Sequence, residues 1–198
     1  MDEFGLSRPR LGFSAAEIRD IVIAWIVLSI AFAWLIFSGR GIESFELALI
    51  TALITVGTGF VLHELAHRFV ALRFGAMAEF RAWMFGLLFA LITAFFGFLF
   101  AAPGAVYIFK ENLTARENGL ISIAGPLTNL VIGLVFLFAG FIVSGFVQTI
   151  FFWGARINFF LGFFNMLPFF VLDGKKVFDW NKGIWAITFI VLFLLAFF

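Results

Sequence analysis

Apolar runs close to the length of a lipid bilayer dominate this chain and constrain its fold more than any other feature. About 20 apolar residues in a helix suffice to cross a hydrocarbon core of about 30 Å. Hydrophobic residues make up 64% of the 198 residues, and charged residues make up only 13%. We therefore predict an all-α polytopic membrane protein, embedded in a lipid bilayer, with a single transmembrane domain over residues 1–198 and a core at about 44–174.

The apolar pattern divides this domain into about six hydrophobic segments, which we expect at 21–37, 44–74, 82–102, 120–145, 150–172 and 184–198. Residues 103–108 contain Pro103 and Gly104 followed by Val106, Tyr107 and Ile108, which predicts a turn and a short β-strand. A β or re-entrant element is therefore expected between the second helix and the helix that carries Asn129. The last segment, rich in Phe and Leu, is expected to be a plain lipid-facing helix.

The charge balance and the absence of cysteine limit the possible functions. The formal net charge is +1, so no nucleic-acid partner is expected. The chain has no cysteine, so any metal must be held by histidine and carboxylate side chains.

The second predicted helix carries His63-Glu64-Leu65-Ala66-His67 near its end. Residues four apart share a helix face, so both imidazoles can hold one metal ion, with Glu64 beside them. Nitrogen ligands without thiolates suit Zn²⁺, and a catalytic zinc needs a third protein ligand. These are the only two histidines of the chain, and ionisable groups within a membrane segment are functional by default.

Asp173 is the candidate for the third ligand, because carboxylates are scarce at the membrane-embedded positions. It follows the apolar run 150–172 and precedes Gly174, Lys175 and Lys176. The alternative is an interfacial aspartate at the end of a helix, with the lysines at the lipid headgroups.

Geometry restricts how His63 and Asp173 could meet. Each is expected near the far end of its own helix, so they share a metal only if both helices run in the same direction. Segment 82–102 must then cross the membrane twice or not at all, which predicts a re-entrant or hairpin-like element.

The positive-inside rule favours the same topology. With a cytoplasmic N-terminus and no net crossing by segment 82–102, only Arg40 of the loop cations lies outside. The cytoplasmic set is Arg8, Arg10, Arg19, Arg73, Arg81, Lys110, Arg116, Lys175, Lys176 and Lys182. We therefore predict a multi-pass protein of the cell membrane with its active site towards the cytoplasm.

Three motifs in this order resemble the site-2 protease or M50 family of intramembrane zinc metalloproteases, in its compact prokaryotic or archaeal form. They are the His63–His67 segment, Gly125-Pro126-Leu127-Thr128-Asn129, and Asn165 to Gly174, which is similar to Asn-x-x-Pro-x-x-x-x-Asp-Gly. The strand at Pro103 to Val106 is also similar to family members.

This resemblance implies a set of site residues. His63, His67 and Asp173 would bind Zn²⁺, and Glu64 would be the general base. Asn129 and Asn165 would lie near the site and bind substrate or orient ligands, although packing between helices is nearly as good an interpretation for both. Asn158 is interpreted as a packing residue.

The expected function is zinc-dependent hydrolysis of peptide bonds within or near transmembrane segments of other membrane proteins, as in regulated intramembrane proteolysis. The main alternative is a membrane metal transporter with a His/Asp site, although it would not need Glu64 and no internal repeat is visible. A structural membrane protein without metal and a prenyl-protein processing protease are further alternatives. The oligomeric state stays open.

Overall fold

The structure, a computed structural model, describes residues 12–100 and 102–198. Arg8 and Arg10, which the charge argument used, lie outside the described residues. The elements in chain order are α1 (Ala15–Ser38), α2 (Phe45–Val56), a π-helical turn (Gly57–Val61), α3 (Leu62–Arg73), β1 (Met77–Ala82), α4 (Met84–Phe95), β2 (Gly104–Phe109), α5 (Ala115–Gly140), α6 (Gly145–Asn165), α7 (Asp173–Trp180) and α8 (Lys182–Phe197).

Four helices are long and apolar enough to cross a membrane: α1, the continuous α2–α3 helix (Phe45–Arg73), α5 and α6. The second of these has 29 residues, so at about 1.5 Å per residue it exceeds the thickness of a hydrocarbon core. It agrees with the predicted segment 44–74 to within one residue at each end. Its π-helical turn ends directly before Leu62 and His63. The predicted all-α polytopic membrane architecture is thus confirmed.

The segment between α3 and α5 forms a small two-stranded sheet with a short helix between its strands. β1 and β2 pair antiparallel, with Ala82 opposite Gly104. Between them, α4 has only 12 residues, about 18 Å of helix, which is too short to cross the core. The predicted strand at 103–108 and the hairpin-like return are both confirmed. The partner strand β1 was not predicted, because Glu79 and Arg81 made this stretch resemble a polar loop.

The fifth segment ends earlier than the sequence analysis predicted. α6 stops at Asn165, whereas a helix through 172 was expected. Pro168 disfavours helical geometry at the residue before it, and Phe170 has a left-handed backbone with φ 55°. Asp173 therefore stands at the start of a separate short helix, α7, and the expected position at a helix C-terminus is wrong.

The last helix packs against the rest of the protein along one face. α8 packs against α6 and α7, and Leu192 and Thr188 are buried. The indole N–H of Trp185 donates to the carbonyl of Met166 at 2.8 Å, which holds the turn after α6. The expectation of a plain lipid-facing helix is therefore wrong for the face that carries these residues.

The first helix begins at Ala15, several residues before the predicted start at 21, because Ser14 caps it by accepting from the N–H of Glu17 at 3.0 Å. Its first turns carry two buried carboxylates that reach β1. Glu17 accepts from the N–H of Phe80 at 3.2 Å, and Asp20 accepts from the N–H of Ala82 at 3.3 Å.

Arg68 of α3 completes this group. Its Nε lies 3.1 Å from Glu17 Oε1, and its Nη2 donates to the carbonyl of Gly12 at 2.9 Å. We call Glu17, Asp20 and Arg68 the α1 clamp. It joins the first helix to the sheet and to the helix that carries both histidines.

Candidate metal centre

The two histidines project from one face of α3, one helical turn apart. Their Nε2 atoms lie 3.0 Å from each other, and both side chains are more than nine-tenths buried. This placement follows from the i, i+4 spacing that the sequence showed.

Each imidazole is oriented by a hydrogen bond from its other nitrogen. His63 Nδ1 lies 2.6 Å from Asn129 Oδ1, and His67 Nδ1 lies 2.7 Å from the carbonyl oxygen of Ile121. The amide nitrogen of Asn129 donates to the Gly59 carbonyl and to Asn158 Oδ1, so its oxygen must face His63 as an acceptor. Both Nδ1 atoms are therefore donors, so the Nε2 atoms are the ones that face each other and could bind a metal ion.

Asp173 reaches the same point from α7. Its Oδ2 lies 3.2 Å from His63 Nε2 and 2.9 Å from His67 Nε2. Its other oxygen, Oδ1, lies 3.7 Å from Lys176 Nζ. We call His63, His67 and Asp173 the metal cluster.

The donor set fits a zinc ion. Two imidazole nitrogens and one carboxylate oxygen lie within 4.8 Å of one another. All three atoms present lone pairs, so they repel one another in a buried site unless a cation or a shared proton lies between them. Two nitrogens, one carboxylate oxygen and no thiolate form a ligand set of catalytic zinc sites, which keep one position open.

Gly125 of α5 leaves room at this point. A Cβ atom there would lie 2.5 Å from the Nε2 atoms of both His63 and His67, closer than real side chains approach. Any larger residue would therefore displace the imidazoles. This explains why glycine suits the first position of the Gly125–Asn129 motif.

Glu64 lies beside the metal cluster on α3 and faces the same cleft. The cleft has a cavity of about 70 Å³ and is lined by Glu64, His63, His67 and Asp173, among others. A water molecule needs about 10–15 Å³ on this measure, so several waters fit beside the Glu64 carboxylate.

The sheet presents one of its two edges to this cleft. The N–H groups of Phe80 and Ala82 point to α1, so β1 bonds to β2 through the residues that alternate with them. On β2, opposite these positions, the backbone groups of Gly104 and Val106 then point away from β1, and both residues line the cleft. The α1 clamp covers the other edge of the sheet.

The structure brings His63, His67, Asp173, Glu64 and Asn129 together. Asn165 lines the cleft but does not contact the metal cluster; its amide nitrogen donates to the carbonyl of Leu161 on its own helix at 3.0 Å.

Sequence reasoning underrated two residues near the site. Asn158, interpreted as packing, accepts from Asn129 and so supports the residue that orients His63. Lys176 was counted only among the cytoplasmic cations, or at the lipid headgroups in the alternative for Asp173, but it lines the cleft beside Asp173. Its i, i+3 spacing from Asp173 would have revealed it only if the helix start at Asp173 had been known.

Comparisons with known proteins agree with this site. The model of peptidase family M50 matches residues 142–186, which include all of α6 and α7. No solved structure gives a significant match.

Several curated relatives carry the printed name "Putative zinc metalloprotease". MJ0611 of Methanocaldococcus jannaschii is 46% identical over 179 residues, which cover 89% of this chain and 90% of that protein. YwhC of Bacillus subtilis is 30% identical over 149 residues, 64% of this chain and 66% of the relative. Rip3 of Mycobacterium tuberculosis is 31% identical over 121 residues, 58% of this chain and 26% of the relative.

The match to MJ0611 extends along nearly the whole of both chains, and the family model matches the segment that contains Asp173. Together with the membrane-spanning helices and the His/Asp cluster, these matches identify the chain as a member of peptidase family M50, a membrane zinc metalloprotease.

Proposed function

We propose that this protein hydrolyses peptide bonds within or near transmembrane segments of other membrane proteins. In this proposal His63, His67 and Asp173 hold the zinc ion and Glu64 is the general base. The observation that carries the proposal is the convergence of three lone-pair donors and a buried glutamate on one small cleft between helices long enough to span a membrane.

A bound zinc ion supplies Lewis-acid chemistry, which polarises a peptide carbonyl and makes water a better nucleophile. Glu64 takes a proton from the water that attacks the carbonyl carbon. The C–N bond then breaks, and Glu64 delivers the proton to the leaving nitrogen. Asn129 and the Ile121 carbonyl hold the two imidazoles in the required tautomer throughout.

The substrate chain is expected to bind in extended form along β2. A transmembrane helix hides its carbonyls in internal hydrogen bonds, so it must unwind before cleavage. The outward backbone groups of Gly104 and Val106 offer hydrogen bonds to an extended chain, in the manner of strand addition. Substrates with Gly, Asn or Pro near the cut should therefore be cleaved faster than poly-leucine helices. Equal rates for both kinds of substrate would contradict local unwinding.

The active site is expected to open towards the cytoplasm of a multi-pass protein in the cell membrane. If the four long helices cross the membrane and the chain between β1 and β2 makes no net crossing, Arg73, Lys110 and Lys182 lie on one side and Arg40 on the other. Under the positive-inside rule the side with more cations is cytoplasmic. Labelling of single introduced cysteines at positions 40 and 110 from outside intact cells tests this orientation, and labelling at 110 alone would reverse it.

The experiment that tests the enzymatic proposal measures zinc and cleavage together in the detergent-purified protein. Wild type should hold about one zinc ion and cut a model transmembrane substrate. Asp173→Ala should lose both properties, whereas Glu64→Gln should keep zinc and lose cleavage by at least about 100-fold. Asp179→Ala and Glu46→Gln are matched controls, because Asp179 is on the same short helix and half exposed, and Glu46 lies on the same membrane-spanning helix outside the cleft.

The alternatives give different results in this experiment. Cleavage by Glu64→Gln at the wild-type rate would remove the general base from the proposal. The transporter would be favoured if wild type cut no substrate, carried zinc across vesicle membranes, and lost this zinc flux in Asp173→Ala.

A further inference from the structure

A second cavity lies beside the cleft and is almost entirely apolar. It has a volume of about 320 Å³. We call it the apolar pocket; its walls include Trp83, Phe89, Phe100, Phe164, Phe170 and Leu172. These residues come from the start of α4, the segment before β2, the end of α6 and the turn before α7.

The apolar pocket adjoins the cleft of the metal cluster. Ala102, Phe164, Val171 and Leu172 line both cavities. Leu172 directly precedes Asp173, and Ala102 lies two residues before Gly104 at the start of β2. An extended chain that follows the open edge of β2 past Gly104 therefore reaches the mouth of the pocket within about two residues.

We infer that the apolar pocket is a substrate subsite that binds one large apolar side chain, such as Phe, Leu or Met, next to the cleaved bond. This inference rests on the proposed cleavage of membrane segments in the cleft. A dry apolar cavity of about 150 Å³ can bind benzene, so the larger volume here accommodates an aromatic side chain.

The walls of the pocket are held in place by aromatic contacts around Phe100. The Phe100 ring centroid lies 5.8 Å from that of Phe89, 5.4 Å from that of Phe164 and 6.5 Å from that of Phe170. The backbone N–H of Phe100 donates to the buried Thr93 hydroxyl at 3.2 Å. Phe170 has a left-handed backbone with φ 55°, and its ring contacts those of Phe100 and Phe169 while the residue stays 77% exposed.

The position of the pocket next to the cleft favours a substrate side chain, rather than a lipid chain, as the occupant. The pocket and the cleft share the wall next to Asp173, so an occupant of the pocket lies close to the reacting bond. Phe85 of α4 and Phe96, directly after α4, are 76% and 72% exposed and line neither cavity. They offer the lipid a surface away from the metal cluster.

The test compares cleavage of model substrates that differ only in one residue near the cut, Ala or Phe, at each of the three positions on either side. For wild type, kcat/KM for Phe should exceed that for Ala at one position by about tenfold or more. In Phe89→Trp, which narrows the pocket, this ratio should fall at least tenfold at that position alone. Phe85→Trp, on the same helix but outside both cavities, should keep the wild-type ratio.

The outcomes separate the subsite from the proposed function. If wild type cuts the substrates but Phe89→Trp leaves the Phe/Ala ratio unchanged at every position, the subsite is wrong and the proposed function stands. If Phe89→Trp changes all rates equally, and the change depends on the acyl-chain length of the surrounding lipid, the pocket binds lipid and the inference is overturned. If zinc-loaded wild type cuts none of the substrates, the proposed function itself fails.

Discussion

Two groups of buried ionisable side chains include residues of α3, and they differ in how their charges are matched. In the α1 clamp, the Arg68 guanidinium lies against Glu17, and the carboxylates of Glu17 and Asp20 accept from backbone N–H groups of β1. In the metal cluster, three lone-pair donors of His63, His67 and Asp173 face one another. Opposite charges already pair in the first group, whereas the second needs a cation or a shared proton between its members.

This difference shows that burial of ionisable groups in a membrane protein does not by itself indicate a catalytic site. The α1 clamp pairs the Arg68 cation with the Glu17 carboxylate, and its carboxylates accept from β1, so its role is to connect α1, α3 and β1. In the metal cluster the nitrogen and oxygen lone pairs face one another. Burying them in this way costs free energy unless a cation or a shared proton lies between them. The two groups differ in whether opposite charges and donor–acceptor pairs meet, and not in the number of ionisable residues.

His67 and Arg68 provide the largest test of this comparison, because they are consecutive residues that belong to opposite groups. His67→Ala should remove zinc and cleavage from a protein that still folds. Arg68→Ala should leave Glu17 buried without its cation, which destabilises the protein by about 3–5 kcal/mol. Its folded fraction should still bind one zinc ion per molecule. Unfolding by denaturant in detergent and metal analysis of the folded fraction measure both effects.

Arg73→Ala is the matched control for Arg68→Ala, since Arg73 is exposed in the last turn of the same helix and stacks on Phe69. It should change stability by less than about 1 kcal/mol. Loss of zinc in folded Arg68→Ala, at unchanged stability, would place Arg68 with the metal cluster and break the comparison.

Asn129 should give the next largest effect, and on zinc rather than on folding. Its Oδ1 atom lies 2.6 Å from Nδ1 of His63 and so orients the imidazole through the nitrogen that does not face the metal cluster. Loss of such a partner weakens metal binding by about 10–100-fold. Asn129→Ala should therefore raise the zinc dissociation constant within that range, measured by competition with a chelator. Asn158→Ala removes one of the two acceptors of the Asn129 amide and a hydrogen bond to the Gly154 carbonyl, and it should have a smaller effect on zinc. If Asn129→Ala and wild type bound zinc with equal affinity, Asn129 would be a packing residue that does not orient His63 for metal binding.

Short-range patterns predicted much of the fold and the site. The His63–His67 spacing already placed two imidazoles on one face, because helix periodicity fixes that relation. The hairpin at residues 82–102 followed from the requirement that Asp173 reach the same side of the membrane as His63. The antiparallel pairing of β1 with β2 meets that requirement.

Contacts between distant segments could not be predicted. Glu17 and Arg68 are 51 positions apart, and nothing in the local pattern of either indicates the other. The end of α6 at Asn165 was missed because residues 166–172 are as apolar as a helix core. Only their backbone geometry, with Pro168 and the left-handed Phe170, separates α6 from α7. The metal cluster was reached through its motifs even though the helix that carries Asp173 was misplaced.

Asn165 should show the smallest effect and defines the boundary of the metal cluster. It lines the cleft, but its amide nitrogen bonds within α6 and it makes no contact with His63, His67 or Asp173. Zinc affinity of Asn165→Ala should therefore equal that of wild type. If the amide oxygen accepts one hydrogen bond from the substrate chain, about 0.5–1.5 kcal/mol is lost and kcat/KM falls by about 2–12-fold. Steady-state cleavage with zinc in excess measures this fall in kcat/KM. A weaker zinc affinity in Asn165→Ala would show that Asn165 acts on the metal ligands and belongs with the metal cluster.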